Sequence, residues 1–213
     1  MNGPDATRAI EKYRRHAADY DATAVRTMAL RRRTVDLLAL RAGDVVLDVA
    51  CGTGLSFPLL RERVGAKGKV IGVELSPEML AHARARVQSH GWTNVALVQA
   101  SMADAPIPDA LDAILFNYTH DVLRSSAALE HIFAHARPGA RVAVAGVKYP
   151  PWWLFPARLW RRANARPYLT TFEGLDRPWS LLEPHVTELK ITPVMLGTNY
   201  IGAACASKRA SRL

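Results

Sequence analysis

Cysteine is scarce in this 213-residue chain: Cys51 and Cys205 stand alone, with no metal-ligand spacing around either. That excludes a disulfide scaffold and a cysteine-based zinc site, and it favours a reduced setting. Long apolar runs are missing too, so no stretch reaches the roughly 20 residues of a membrane span. The opening residues, Met1 to Asp5, lack a signal-peptide pattern. A cytoplasmic protein is expected, with any membrane contact peripheral and on the inner face. Acids are in short supply, 19 against 28 Lys+Arg, which leaves a net charge of +9. Such a balance fits an anionic partner, namely nucleic acid, lipid head groups or an acidic substrate. It fits an arginine-rich coding bias equally well. Repeats and low-complexity linkers are absent. A hydrophobic content of 49% suffices for one full core, so residues 1–213 are expected to form a single domain.

What is present is organised around Val45-Val46-Leu47-Asp48-Val49-Ala50-Cys51-Gly52-Thr53-Gly54-Leu55. An apolar run ends at an acid, passes through small residues and opens an apolar helical pattern reaching Val64. The pattern predicts a buried strand, a tight turn and a helix. Gly52 and Gly54 would let backbone approach a ligand closely. The helix start behind them would offer free N–H groups and a positive dipole end. Glu74 closes the next apolar run, Lys69 to Glu74. An acid about 20 residues beyond a glycine loop is placed for ribose hydroxyls. A dinucleotide-binding loop would need a third small residue where Phe57 stands, so that reading is set aside.

The remaining chain alternates strands and helices. Strands are expected at 45–49, 69–74, 95–99, 111–117 and 141–147, with helices at 54–64, 77–89 and 125–136. That rhythm predicts a doubly wound, mostly parallel α/β sheet. Two β-like runs, Glu188–Leu196 and Asn199–Ser207, meet at Gly197-Thr198 and predict an antiparallel hairpin. A short helix is expected around 178–186. At the other end, residues 5–40 read as two helices. Arg31-Arg32-Arg33 in the second reads as a solvated face, with phosphate or head-group contact as the alternative. Tyr13, His16 and Tyr20 share one face of the first.

The string Asp48-Val49-Ala50-Cys51-Gly52-Thr53-Gly54, with Leu75-Ser76-Pro77-Glu78-Met79-Leu80 after Glu74, resembles the class I S-adenosylmethionine (SAM)-dependent methyltransferases over roughly residues 40–148. The resemblance implies a Rossmann-like seven-stranded sheet that is mostly parallel and ends in an antiparallel hairpin. It divides the chain into an N-terminal helical cap (1–40), a SAM-binding core (41–148) and an acceptor-side segment with the hairpin (149–213). SAM is the implied cofactor. Gly52 and Gly54 would line its methionine part, and Glu74 would take the ribose diol. Leu75 and Met102 would sandwich the adenine. The Asn117 carbonyl would lie near the ammonium group, which Asp48 would orient through water. Ala50, Cys51, Thr53, Met79 and Tyr118 would complete the cofactor wall. Two positions depart from the family pattern: Ala50 replaces a usual glycine, and Ser101 replaces a frequent aspartate beside the adenine.

The resemblance makes Tyr13, His16 and Tyr20 a lid over the pocket, with ordinary helix packing as the alternative. His120 is the candidate general base, since its ordinary pKa lies near neutrality. Asp121 would orient it or cap the next helix. Trp152 and Trp153 open an acid-free aromatic and arginine segment, 152–166. Its aromatics are expected to turn inward and wall the acceptor pocket, with insertion into a bilayer interface as the alternative. The expected reaction is methyl transfer to an O or N acceptor on a small molecule or lipid head group. One rival is a nucleic-acid methyltransferase; against it, Asn117-Tyr118-Thr119-His120 stands where a base-methylating N/D-P-P-Y/F motif would. The other is a SAM-binding or membrane-associated protein without catalysis.

Overall fold

The computed structural model describes residues 27–107, 110–150, 153–154 and 172–207. Tyr13, His16, Tyr20, Trp152 and most of the 152–166 segment lie outside them. Seven strands form one sheet: β1 (Val45–Val49), β2 (Lys69–Glu74), β3 (Val95–Gln99), β4 (Leu111–Asn117), β5 (Ala136–Val147), β6 (Val186–Val194) and β7 (Asn199–Ala206). Their order is β3-β2-β1-β4-β5-β7-β6. β1 pairs in parallel with both β2 and β4, so the strand order reverses beside β1. β7 lies antiparallel between β5 and β6. This is the mostly parallel sheet with an antiparallel end pair that the sequence predicts.

Alternation along the strands fills two layers. Leu47 and Val49 point into the larger core, where Leu123, Leu129, Ile132, Phe133 and Tyr200 pack. Val46 points into the opposite core. Three helices cover that face: α1 (Met28–Leu37), α2 (Phe57–Val64) and α3 (Pro77–Ser89). They contribute Val35, Phe57, Leu60, Val64, Leu80 and Ala83. Asp48, two residues after Val46, faces the same side by the two-residue period of a strand. Two helices on the other face, α4 (His120–Leu123) and α5 (Ser126–His135), follow β4.

Four expectations are corrected. Residues 54–56 are turn, and α2 starts at Phe57 with Pro58 in its first turn, a position where the missing N–H costs nothing. Around 178–186 there is turn and one 3-10 turn, Glu183–His185; Pro184, in the interior of that span, removes a backbone donor that a helix would use. Pro138-Gly139 does not separate α5 from β5: the strand begins at Ala136, with a register irregularity against β4 between Leu111 and Ala113. Finally, the Arg31-Arg32-Arg33 run is not uniformly solvated. Arg32 and Arg33 are exposed, while Arg31 is buried at 4% exposure.

Candidate active site

The candidate site lies at the carboxyl ends of β1, β2 and β4, beside the reversal in strand order, where open α/β sheets take ligands. The chain leaves β1 through left-handed backbone at Ala50 (φ 47), Gly52 (φ 58) and Gly54 (φ 77). A side chain on Gly52 would meet nothing within 4 Å, whereas one on Gly54 would strike the Phe57 ring at 2.5 Å. Phe57 is fully buried. Room for it also comes from Gly72 in β2, whose absent Cβ would sit 2.7 Å from the same ring. A bulky residue is thus seated where a dinucleotide fold keeps a small one.

Glu74 braces the loop. One carboxylate oxygen accepts the Gly52 N–H at 2.9 Å, and the other accepts the Ser76 N–H at 2.8 Å. Burial raises its pKa, with the Ser76, Gly52 and Leu75 backbone opposing. Asp48 is 2% exposed. Burial pushes its carboxyl from 3.8 up to about 7, against the Arg31 charge and the Ser56 hydroxyl. Burial likewise keeps the Cys51 thiol far above its usual range. Cys51 is therefore a packed, neutral side chain and not a nucleophile.

The end of β4 supplies the second wall. Asn117, Thr119 and His120 are each about 5–6% exposed. Among the described residues, both side-chain amide atoms of Asn117, the Thr119 hydroxyl, both His120 ring nitrogens and Asp48 Oδ2 have no hydrogen-bond partner. Buried polar atoms are normally paired, and each one left alone costs about 1–3 kcal/mol. Such a concentration of unpaired atoms at one end of the sheet makes this the candidate ligand site. Between Asn117 and Thr119, Tyr118 adopts φ 64, a strained conformation for a bulky residue of the sort that gathers at functional sites. Its N–H donates to the Ala145 carbonyl at 2.8 Å, and its hydroxyl accepts from Asn199 Nδ2 at 3.1 Å. The ring packs beside Leu30, Ala145 and Ile201.

Burial also pushes His120 from 6.5 down to about 4; the Glu173 backbone opposes this without a well-formed hydrogen bond, and the Arg124 charge adds to it. The ring is therefore neutral throughout the physiological range, which corrects the expectation of a group titrating near neutrality. Leu75 is half-buried and Met79 is buried at the start of α3, where the Met79 N–H donates to Ser76 Oγ at 3.3 Å. Thr53 is buried, and its carbonyl accepts from Arg86 Nε at 3.0 Å. Ser101 Oγ accepts the Ala103 N–H at 3.4 Å, and Met102 joins the larger core. Trp153 is 67% exposed and points outward, opposite to the inward orientation expected of it. Arg31 is the polar residue that the sequence reading passed over: Nη1 donates to Ser56 Oγ at 2.8 Å beneath the glycine loop. Its helical spacing with Thr34, Val35 and Leu38 was the available signal.

The residues fit SAM. The unpaired Asp48 oxygen suits an ammonium group, the Gly52 backbone is open to close approach, and the buried acid Glu74 lies across the loop. Residues 46–139 match the family model described as Methyltransferase domain. Sheet order, loop and this match together mark residues 46–139 as a methyltransferase domain of the class I SAM-dependent type. Among its relatives is the ubiquinone/menaquinone biosynthesis C-methyltransferase of Methylococcus capsulatus. It is 36% identical over 117 residues, which cover 54% of this chain and 47% of that protein. A 2-phytyl-1,4-naphtoquinone methyltransferase of Thermosynechococcus vestitus is 28% identical over 176 residues, 78% of this chain and 74% of the relative. The chain spans about half the length of several curated relatives it matches. A SAM-dependent methyltransferase structure from Aquifex aeolicus shares the fold at a TM-score of 0.61 and 23% identity, covering 83% of this chain and 89% of its own.

Proposed function

We propose that this chain transfers a methyl group from SAM to a small hydroxylated ring of the quinol type. The observation that carries the reading is the set of unpaired buried polar atoms on Asp48, Asn117, Thr119 and His120, gathered beside the glycine loop. SAM supplies an electrophilic methyl carbon. The protein contributes alignment and exclusion of water, which together can supply much of the acceleration. Asp48 and the Asn117 carbonyl hold the ammonium end, Gly52 and Gly54 let the backbone approach, and Glu74 faces the ribose. Leu75, Met79 and Met102 take the adenine side. His120, kept neutral by burial, accepts a hydrogen bond from the acceptor hydroxyl and so raises the electron density of the ring. The quinone C-methyltransferase relatives favour a ring carbon as acceptor over the O or N atom that the sequence alone suggests.

An apolar rim supports a lipophilic acceptor. The β6–β7 turn lies beside the carboxyl end of β5 and exposes Met195 (59%) and Leu196 (88%). With a net charge of +9, it suits an anionic membrane surface, and absence of low-salt co-sedimentation with anionic vesicles would remove that element. Among the described residues no helix is long and apolar enough to cross a membrane.

The test is transfer from methyl-labelled SAM to a panel of quinols, phenols and amines, with the methyl located by NMR. Ring-carbon labelling of quinols is expected. Label on amines alone would overturn the acceptor class, and SAM binding without transfer would favour the non-catalytic rival. His120→Asn should lower kcat about 100-fold with SAM affinity kept. In the wild type, kcat/KM for the acceptor at saturating SAM should hold from pH 7 to 5, because His120 titrates near 4. A limb near 6.5 would contradict the neutral, buried ring.

A further inference from the structure

A buried guanidinium needs partners, since an unpaired charge in the interior is among the costliest features a fold can carry. Arg31 is 4% exposed, Ser56 0% and Asp48 2%. They come from three elements, α1, the glycine loop just before α2, and β1. Arg31 Nη1 donates to Ser56 Oγ at 2.8 Å, and both residues act on Asp48 to favour its ionised form. Among the described residues, Arg31 Nε and Asp48 Oδ2 still lack partners. The other charged group bearing on Asp48 is Glu74 from β2, which disfavours ionisation. The Cys51 thiol, on the same turn, feels Asp48 in return.

We propose that Arg31 is a positioning residue for the cofactor: through Ser56 it fixes the Asp48 carboxylate that receives the cofactor's ammonium group. The inference rests on the SAM-binding reading above. It makes α1 part of the binding machinery, because Arg31 reaches Ser56, and through it the β1 acid Asp48, only while the helix is docked. Arg32 and Arg33, exposed on the same helix, have no such part.

Calorimetric titration of SAM across pH 5.5–9 tests this on the full chain. Affinity should fall on the acid side as Asp48 protonates, and on the alkaline side as the α-amino group of the ligand, near 8, loses its proton. Arg31→Met should weaken binding about tenfold at pH 7 and move the acid limb upward, since Asp48 loses the cation that favours ionisation. The alkaline limb belongs to the ligand and should stay. Arg31→Lys should restore part of the affinity and part of the shift. Ser56→Ala, which leaves α1 intact, should move the same limb in the same direction and serves if Arg31→Met does not fold. An acid limb that stays in place in Ser56→Ala and in every folded Arg31 variant overturns the proposal, whatever the loss of affinity, because that outcome is packing alone. A wild type that binds no SAM would instead overturn the underlying functional reading.

Discussion

The two ends of the parallel strands treat the same chemical group in opposite ways. At the amino ends, carboxylates are paired. Asp44 meets Arg141 at 2.7 Å, and Asp112 bonds Arg137 and accepts the Val45 N–H at 2.9 Å. Burial alone would raise Asp112, yet the Val45 N–H, Arg137 and Arg141 hold it below the usual carboxylate range. At the carboxyl ends, Asp48 and Glu74 are buried and both are pushed upward. One end ties strands together. The other keeps acids in an unfavourable state that a cationic ligand would relieve, so the fold gives up stability where it binds.

The largest test of that contrast is Asp48→Asn. With a folded pKa of about 7 against an ordinary 3.8, Asp48 favours the fold fully below about pH 4 and loses that contribution as pH rises through 7. Above that, its ionised form costs the ligand-free fold on the order of 4 kcal/mol. Asp48→Asn should therefore be more stable than wild type in urea at pH 8, with little gain at pH 4, and should bind SAM poorly. Equal stability at pH 8 would erase the contrast. Next in size is Asp112→Ala, which strands the Val45 N–H and should cost about 1–3 kcal/mol at pH 7. Because the Asp112 pKa is lowered, its charge-dependent stabilisation is present above about 3.8 and fades as pH falls below that; the gap between variant and wild type should narrow there. A gap independent of pH would assign the loss to packing. The smallest effect is Ala50→Gly. Glycine removes the left-handed strain at φ 47 while adding freedom to the unfolded chain, so a net gain below about 1 kcal/mol is expected. A loss of thermal stability would show that the Ala50 methyl group is needed for packing.

Strands β1, β2 and β4 were legible because each is a short, largely apolar run, and a parallel strand buried on both faces needs little else. α3 was legible for a local reason as well: Ser76 caps it and Pro77 starts it. The failures have equally local causes. A short helix was expected around 178–186, but neither spacing nor hydropathy weighs the donor removed by Pro184 in its interior. Arg31 was hidden inside a charge run whose two other members are exposed. Of the candidate site, the glycine loop and Glu74 could be read from residue type and spacing. The neutral state of His120 could not, because burial by residues distant in sequence determines it, and neither could the outward turn of Trp153.

The seating of Phe57 against Gly54 and Gly72 constrains how this loop can change over time. Any side chain at Gly72 collides with the ring at 2.7 Å and with Cys51 Sγ at 2.9 Å, so enlarging that strand position first is blocked. Shrinking Phe57 first leaves a void under the loop, which is also unfavourable. The two positions can exchange bulk only through a poorer intermediate or in a single double step. A lineage that has placed the aromatic here is thereby held away from the small-residue loop of the dinucleotide binders, even though only a few substitutions separate the two motifs on paper.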